Sequence, residues 1–271
     1  MQPILSEREI WQRYDDDERR LTAPLTERML NLAKIAPGMR ILDIATGRGE
    51  PAIPAAHRVG RDGLVVGVDR SKDSLQMAID RSAREGLSNM DLRLMDAEVL
   101  NGIPTSYFHA TLCRWGLMYF DSPISALTAA HRAMLPGALL VAAVWAEPDR
   151  VPYFNLPRQI LARYAAIPPI DFTAPGTFRY SDVNIIRNDL RAAGFKIDHM
   201  EELDVTVMEA SNARQVVEWT RAFGLTKLLN NESEDIQRQW EADLCKEAEK
   251  LRANEFIRLG GVTRIVVASA L

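Results

Sequence analysis

The sequence predicts an α/β fold with a doubly wound, mostly parallel, seven-stranded sheet and an inserted helical lid. Apolar strand patterns alternate with amphipathic helix patterns between residues 39 and 146, which is typical of βαβ units with right-handed crossovers. The stretch GLVVGVD (63–69) is apolar almost throughout, as in a parallel strand that is covered on both faces. After residue 146 this alternation stops, and helical segments separate two late strands.

The first half of the chain supplies five strands and the helices between them. Two helix patterns, at 6–20 and 22–34, precede the first strand. Pro51 suits the first turn of the next helix, while Gly86 and the pair Pro136-Gly137 end two later helices. The strand patterns occupy 39–45, 63–69, 90–97, 108–115 and 138–146.

The second half has a different organisation. Residues 147–180 are rich in proline and aromatic residues, a helix pattern at 181–195 precedes a long strand at 196–208, and helical stretches follow at about 211–230 and 232–254. The chain ends on an apolar strand after a Gly-Gly turn. We therefore expect five parts: N-terminal helices with a cofactor-binding core (1–147), a lid segment (148–180), a core helix and strand (181–210), a helical lid insertion (211–255) and a final core strand (256–271).

Composition narrows the classes of partner. The formal net charge is −4, and no Lys/Arg stripe is visible, so we expect no nucleic-acid partner. No stretch approaches the 18–20 apolar residues of a membrane span, and the N-terminus lacks an apolar signal region. Cys113 and Cys245 are too few for a disulfide framework and lack zinc-site spacing. We expect a cytoplasmic protein, and its oligomeric state is left open.

The stretch ILDIATGRGEPA (41–52) combines an apolar strand, a turn with two glycines and the start of a helix. Gly47 and Gly49 allow a tight turn and a close approach of backbone to ligand, and the helix N-terminus aims free N–H groups at the same place. The spacing Gly47-x-Gly49-x-x-Ala52, with Asp69 about 20 residues on, also fits the fingerprint of nicotinamide dinucleotide enzymes.

Three acids argue against a pyrophosphate at this turn. Asp43 lies in the strand before the turn, Glu50 follows the glycines, and Asp96 follows the third strand. Carboxylates would repel a pyrophosphate and attract a cation. Acids at three successive strand ends suit a cationic amino acid joined to a ribose and an adenine.

The same residues resemble a known family. ILDIATGRGEPA resembles motif I of the class I S-adenosylmethionine-dependent methyltransferases, which have a Rossmann-like fold. The resemblance covers about 10–147, and the late strands and helices resemble the small-molecule branch related to the ubiquinone/menaquinone biosynthesis methyltransferases. It implies S-adenosyl-L-methionine as cofactor, S-adenosyl-L-homocysteine as product, and a small-molecule substrate of a biosynthetic, secondary-metabolic kind. The further matching stretches are GVDRS (67–71), DAE (96–98), RWGLMYF (114–120) and LPGALLV (135–141).

The resemblance assigns roles around the glycine turn. Asp43 would orient the turn and bind water or the amino group of the methionine part. The backbone of Ala45, Gly47 and Gly49 would pass beside the methionine part and the sugar. Ala45 stands where the family usually has its first glycine, a departure that is common in this branch.

Other assigned roles concern the ribose and the adenine. Asp69 would hold both ribose hydroxyls, which is a charge-assisted contact. Arg70 and Ser71 would flank the adenine, Asp96 would accept a hydrogen bond from its N6 amino group, and Ala97 would donate its backbone N–H to the ring.

Residues after the fourth strand would lie nearest the sulfonium. Cys113 and Arg114 are the family's candidates there, although the Cys113 sulfur is expected to be inert and Arg114 could equally be a buried residue paired with a carboxylate. Trp115, Met118 and Tyr119 are candidates for substrate contact, with a core position as the alternative.

The substrate is expected to be a small, largely apolar or aromatic molecule beneath the lid. Five further aromatic residues are candidates for contacting it, although a packing role within the lid is equally compatible with their spacing. No Ser-His-Asp or metal signature occurs, so we assign no catalytic base and no metal and expect catalysis by proximity and orientation. The five candidates are Tyr14, Tyr153, Phe154, Trp219 and Phe223.

Three functions therefore stand at this point. The first is methyl transfer from S-adenosylmethionine to an O, N or C atom of a small molecule. The second is an NAD(P)-dependent oxidoreductase, and the third is a repurposed protein, such as a cyclase, that keeps the cofactor as a bound charge.

Overall fold

One sheet dominates the fold. The computed structural model describes residues 7–223 and 225–271, and eight strands within these ranges form the sheet. The strands are β1 (Arg40–Ile44), β2 (Leu64–Asp69), β3 (Met90–Leu94), β4 (Phe108–Arg114), β5 (Met134–Trp145), β6 (Phe195–Ala210), β7 (Arg252–Ala253) and β8 (Phe256–Ala270).

The order of the strands confirms the predicted fold class. The sheet runs β3-β2-β1-β4-β5-β8-β6, and the two-residue β7 pairs with β8 outside this path. Strands β1 to β5 pair in parallel, whereas β8 runs antiparallel to β5. The long path therefore has seven strands in a mostly parallel, doubly wound arrangement.

Helices connect and cover the strands. Polar side chains cap several of them: the Ser71 hydroxyl accepts a hydrogen bond from the Ser74 N–H, and Ser122 and Asp182 act similarly on their own helices. The α-helices within the described ranges are α1 (Glu7–Leu32), α2 (Ala52–Val59), α3 (Lys72–Arg84), α4 (Pro123–Ala133), α5 (Pro152–Leu161), α6 (Val183–Ala192), α7 (Ala213–Ala222), α8 (Thr226–Asn230) and α9 (Glu234–Glu249).

Three local predictions are wrong, two at prolines and one at a glycine pair. The two expected N-terminal helices are one helix, α1, with Pro24 inside it; burial of Leu25, Met29 and Leu30 in the following turns offsets the missing proline hydrogen bond. Strand β5 begins at Met134 and includes the Pro136-Gly137 pair that was expected to lie before it. Strand β8 begins at Phe256 and includes the Gly260-Gly261 pair that was expected to form a turn before it.

The chain forms two compact units. The sheet unit comprises Pro24–Ala146, Asp171–Leu203 and Thr263–Leu271, and its core lies along β1, β2, β4 and β5. The helical unit comprises the described residues up to Ala23, together with Glu147–Ile170 and Asp204–Val262 apart from Gly224. The expected lid segment 148–180 is thus divided between the two units.

The helical unit has its own apolar core. Trp219, Trp240 and Leu244 are among its buried members, and Trp11 and Tyr14 pack against it. The Trp240 indole N–H donates to the Pro157 carbonyl over 2.9 Å, which satisfies the buried polar atom. Among the described residues, no helix has the length and apolar character of a membrane span.

Strand register determines where a site can form. Asp43 in β1 is paired with Gly67 in β2 and with Leu112 in β4, and Asp69 at the end of β2 is paired with Leu94 in β3. The carboxyl ends of these parallel strands therefore lie side by side. Ligands of open α/β sheets bind at this edge.

Candidate functional site

The turn after β1 needs both of its glycines. Gly47 and Gly49 have φ values of 54° and 91°, in the left-handed region that favours glycine. A Cβ at Gly49 would lie 2.6 Å from Ile53 Cδ1, whereas a Cβ at Gly47 would meet no described atom within 4 Å. Gly49 therefore packs against the following helix, and Gly47 presents bare backbone to open space.

Asp69 braces this turn. One carboxylate oxygen, Oδ2, accepts the Gly47 N–H over 2.7 Å, and the other, Oδ1, accepts the Ser71 N–H over 2.7 Å. A carboxylate offers about four acceptor positions, so two remain for a ligand. The predicted role of Asp69 toward ribose hydroxyls is compatible with this geometry, and the acid also has a structural role that the sequence did not indicate.

Asp43 is a buried acid beside the turn. It has no exposed surface, and neither of its oxygens has a hydrogen-bond partner among the described residues. The hydroxyl of Thr46, in the turn itself, is likewise buried without a partner in the described ranges. Burial raises the pKa of Asp43 to about 7. An unpartnered buried carboxylate and an open glycine backbone fit a ligand that carries positive charge.

Glu50 has a different role from the one expected of a repelling acid. Arg81 Nη1 donates to Glu50 Oε1 over 2.7 Å, and both side chains are at most 10% exposed. The Thr26 hydroxyl donates to Glu50 Oε2 over 3.3 Å, and Arg114 Nη1 donates to that hydroxyl over 3.1 Å. Arg81 compensates the charge of Glu50. Glu50 is therefore not a source of repulsion toward a pyrophosphate at this turn.

The sequence interpretation missed Arg81 and Thr26. One signal for Arg81 was available, because it lies on the buried stripe of α3 together with Leu75 and Ala78. An arginine on the apolar face of an amphipathic helix needs a buried acidic partner. The chain separation of 31 residues between Arg81 and Glu50 hid the identity of that partner.

Two neighbouring residues have left-handed backbones without being glycine. Ala45 has φ 56°, and Trp115 has φ 57°. Gly116 packs so closely on Ala45 that a Cβ there would lie 2.5 Å from the Ala45 Cβ. The left-handed conformation at Ala45 is a physical reason for the glycine that the family usually has at this position.

The residues predicted to hold the adenine lie at the ends of β2 and β3. The Arg70 guanidinium donates to the Tyr119 carbonyl over 3.2 Å, and Ser71 caps α3. Asp96 is exposed, and its Oδ1 accepts the Glu98 N–H over 2.9 Å. Ala97 is buried, 5% exposed. The structure thus places these residues at one edge, and their contacts with an adenine stay predictions.

Side chains after β4 are mainly packed. Cys113 is fully buried, and burial raises the pKa of its thiol, so its sulfur is unreactive. The Trp115 ring stacks on Trp145 with centroids 4.5 Å apart. Met118 is fully buried, whereas Tyr119 is 40% exposed. Of the three substrate candidates here, Tyr119 alone has a largely accessible side chain.

The aromatic candidates of the helical unit form a cluster of their own. The Trp219 indole N–H donates to the Tyr153 hydroxyl over 2.5 Å, and the Trp219 ring lies 4.6 Å from Tyr14 and 4.8 Å from Phe223. Phe154 packs edge-on against Tyr153. These contacts support the packing alternative, and substrate contact by these residues stays a prediction.

A shallow cleft lies within the helical unit. Two of the predicted substrate residues, Tyr14 and Trp219, form part of its wall. The described residues contain no group of three or more His, Cys, Asp or Glu side chains that could hold a metal ion. The other lining residues are Asp17, Glu18, Leu21, Val207, Met208, Glu209 and Gln215.

The chain is similar in sequence to known methyltransferases. Residues 35–155 match a family model described as a methyltransferase domain. A nocamycin O-methyltransferase of Saccharothrix syringae is 27% identical over 220 residues, 78% of either chain. A ubiquinone/menaquinone biosynthesis C-methyltransferase of Hydrogenovibrio crunogenus is 32% identical over 41% of this chain and 44% of its own length.

Solved structures show the same fold. A methyltransferase of Aquifex aeolicus, described as S-adenosylmethionine-dependent, superposes with a TM-score of 0.56 at 18% identity, covering 73% of this chain and 93% of its own.

The sheet order and the glycine turn define a Rossmann-like fold. The chain contains a methyltransferase domain and is similar to S-adenosylmethionine-dependent methyltransferases. The predicted family resemblance, the enzyme class and the cofactor are thereby confirmed, as is methyl transfer to a small molecule.

Proposed function

We propose that the chain transfers the methyl group of S-adenosyl-L-methionine to a small, largely apolar or aromatic molecule, with the cofactor held at the turn after β1. The open backbone of Gly47 beside the buried carboxylate of Asp43 is the observation that carries this proposal. Asp69 supports it, because its carboxylate keeps two acceptor positions beside its backbone contacts.

The cofactor, when bound, supplies a methyl group that its own sulfonium charge already activates for displacement. The protein must then align the acceptor and exclude water. Proximity catalysis without a base is supported by the engagement of the histidines: His109 Nδ1 accepts the Arg40 N–H, His57 pairs with Glu85, and His199 pairs with Glu201. His131, the fourth, packs edge-on against an aromatic ring.

The acceptor atom is proposed as O, N or C. The printed names of the two relatives differ on this point, since one is an O-methyltransferase and the other a C-methyltransferase. High-resolution mass spectrometry of product formed with a methyl-labelled cofactor assigns the atom once a substrate is known.

The substrate is proposed to contact the segments 148–180 and 211–255. Support comes from the aromatic cluster around Trp219 and from the cleft that Tyr14 and Trp219 line. Hydrogen–deuterium exchange with cofactor and candidate aromatic substrates tests this assignment. Substrate should protect both segments, and protection confined to 41–71 and 96–115 would overturn it.

Two other functions have direct tests. Isothermal titration should show binding of S-adenosylhomocysteine and none of NADH, whereas the reverse result supports an NAD(P)-dependent oxidoreductase. A chain that binds the cofactor and converts its substrate without a mass gain of one methyl group would be a repurposed protein such as a cyclase. Native mass spectrometry of a co-purifying molecule gives the earliest indication of the substrate.

A cytoplasmic location and the absence of a nucleic-acid partner also belong to this proposal. The net charge of −4 gives no attraction for nucleic acid. Cys113 and Cys245 are both free thiols, which suits a reducing compartment.

A further inference from the structure

Arg114 and Glu50 form a buried ion pair at the glycine turn. Nη1 of Arg114 lies 4.0 Å from Oε2 of Glu50, and the two side chains are 6% and 9% exposed. The Thr26 hydroxyl bridges them, because it accepts a hydrogen bond from the same Nη1 over 3.1 Å and donates one to the same Oε2 over 3.3 Å. The guanidinium carbon also lies 5.1 Å from the centre of the Trp115 ring, in a cation–π contact. These contacts hold the guanidinium beside Glu50.

The Glu50 charge is shared between two arginines. Arg81 donates to Glu50 Oε1 over 2.7 Å, and it also donates to Glu85 over 2.8 Å. Two guanidinium groups and two carboxylates therefore meet in this network. Loss of the Glu50 charge makes the network more positive by one unit, whereas loss of the Arg114 charge makes it more negative by one unit. Such a change acts strongly on nearby charges, because solvent screens a buried site only weakly.

The network lies at the edge of the sheet where the cofactor is proposed to bind. Glu50 follows Gly49 in the turn, and its N–H donates to the Thr46 carbonyl over 3.2 Å. Arg114 is the last residue of β4, the strand beside β1, and the family resemblance places it nearest the sulfonium. A guanidinium repels a sulfonium. Compensation of the Arg114 charge therefore favours binding of a sulfonium at this edge.

We propose that Glu50 is a positioning residue that holds the Arg114 guanidinium and compensates its charge, so that a sulfonium can bind at the turn after β1. Glu50 acts on the cofactor through Arg114 and not by contact. The inference rests on the proposed function in one respect, namely that S-adenosylmethionine binds at this turn.

The methyl donor and its product respond differently to such a charge. S-adenosylmethionine carries a sulfonium, whereas S-adenosylhomocysteine has a neutral thioether in its place and otherwise the same groups. A change of charge near the sulfur therefore alters the affinity for the donor more than that for the product. A disturbed turn, in contrast, weakens the binding of both. The ratio of the two dissociation constants thus separates an electrostatic role of Glu50 from a merely structural one.

Titration calorimetry with each compound, at one fixed pH, measures this ratio. Glu50→Gln keeps the length of the side chain and an acceptor oxygen but loses the charge. In this variant the Kd of S-adenosylmethionine should rise about fivefold more than that of S-adenosylhomocysteine, because the sulfonium alone meets the added positive charge. The double variant Glu50→Gln/Arg114→Met should return the ratio to the wild-type value.

Glu202→Gln is the matched control within the sheet unit. It removes a carboxylate that lies 3.1 Å from Arg264, whose side chain is likewise 6% exposed. This variant disturbs a buried arginine away from the glycine turn, so the ratio of the two dissociation constants should stay at the wild-type value.

The outcomes separate this proposal from the proposed function. An equal rise of both dissociation constants in Glu50→Gln would overturn the compensating role, whereas a wild type that binds neither compound would overturn the cofactor assignment itself. Should Glu50→Gln fail to fold, Arg114→Met alone decides the question. It makes the network more negative, so it should favour S-adenosylmethionine over its product relative to the wild type, and an unchanged ratio would contradict the proposal.

Discussion

Gly47 donates its backbone N–H to the Asp69 carboxylate over 2.7 Å, so the acid at the end of β2 holds the turn that follows β1. The same carboxylate accepts the Ser71 N–H at the start of α3. Three segments, the end of β2, the glycine turn and the start of α3, are therefore joined through one side chain, which braces the turn.

Ala45 and Gly116 should show coupled mutational effects. Gly116→Ala places a Cβ 2.5 Å from that of Ala45 and 2.9 Å from the Cys113 sulfur, so it should lower the unfolding free energy by about 1–3 kcal/mol. Ala45→Gly alone should change stability by less than about 1 kcal/mol, since relief of the left-handed backbone offsets the added unfolded-state entropy.

The double variant Ala45→Gly/Gly116→Ala should recover part of the loss, because one of the two clashes is gone. Urea unfolding of the four proteins measures this. If the changes in unfolding free energy of the two single variants simply add in the double variant, Ala45 and Gly116 are not in steric conflict.

Asp43→Asn should stabilise the ligand-free protein at high pH. The pKa of Asp43 in the folded state, about 7, lies above its ordinary value of 3.8. The contribution of neutral Asp43 to the free energy of unfolding is therefore fully present below pH 4 and is lost as the pH rises through 7. We expect Asn to be more stable by about 1–3 kcal/mol at pH 8, with a difference that shrinks below pH 7 and is smallest near pH 4. Melting temperatures across this range measure the effect, and a constant difference would contradict the buried charge.

Arg28 and Glu201 should contribute to stability above pH 4.5. Arg28 donates two hydrogen bonds of 2.6 Å to this carboxylate. The Arg28 contact, with His199 also bonded, lowers the pKa of Glu201 to about 2 from its ordinary 4.5. The contribution of this ion pair to the free energy of unfolding is present above pH 4.5 and is lost as the pH falls toward 2.

For this half-exposed pair we expect Arg28→Met to cost about 0.5–1 kcal/mol at pH 7. Urea unfolding at pH 7 and pH 3 measures it, with Arg93→Met as control. A cost that stays the same at the lower pH would assign the effect to packing of the arginine stem instead.

The sheet was predictable because its signals are local. The apolar run before Asp43, the run that ends at Asp69, and the helix signals between them each lie within about ten residues, and βαβ chirality then orders the strands. The acids at the strand ends followed from this order. The lid boundaries, 148–180 and 211–255, stay a prediction.

Other features depend on contacts that a local pattern does not contain. Pro24 looked like a helix boundary, yet α1 continues through it because the turns beyond it are buried. Glu50 looked like a ligand-facing acid until Arg81, 31 residues away, was found to compensate it. The double role of Asp69 depends on a backbone N–H 22 residues earlier, which no side-chain pattern reports.

We propose that S-adenosylmethionine and its product bind at the turn between Asp43 and Asp69, and a single titration decides this. The Kd of S-adenosylhomocysteine is measured for the wild type and for Asp69→Ala, with Asp80→Asn on the exposed face of α3 as control. We predict a loss of about 1.5–3 kcal/mol for Asp69→Ala, because a charge-assisted contact to the ribose is removed, and no change for Asp80→Asn. An unchanged Kd in a folded Asp69→Ala protein would contradict the assignment.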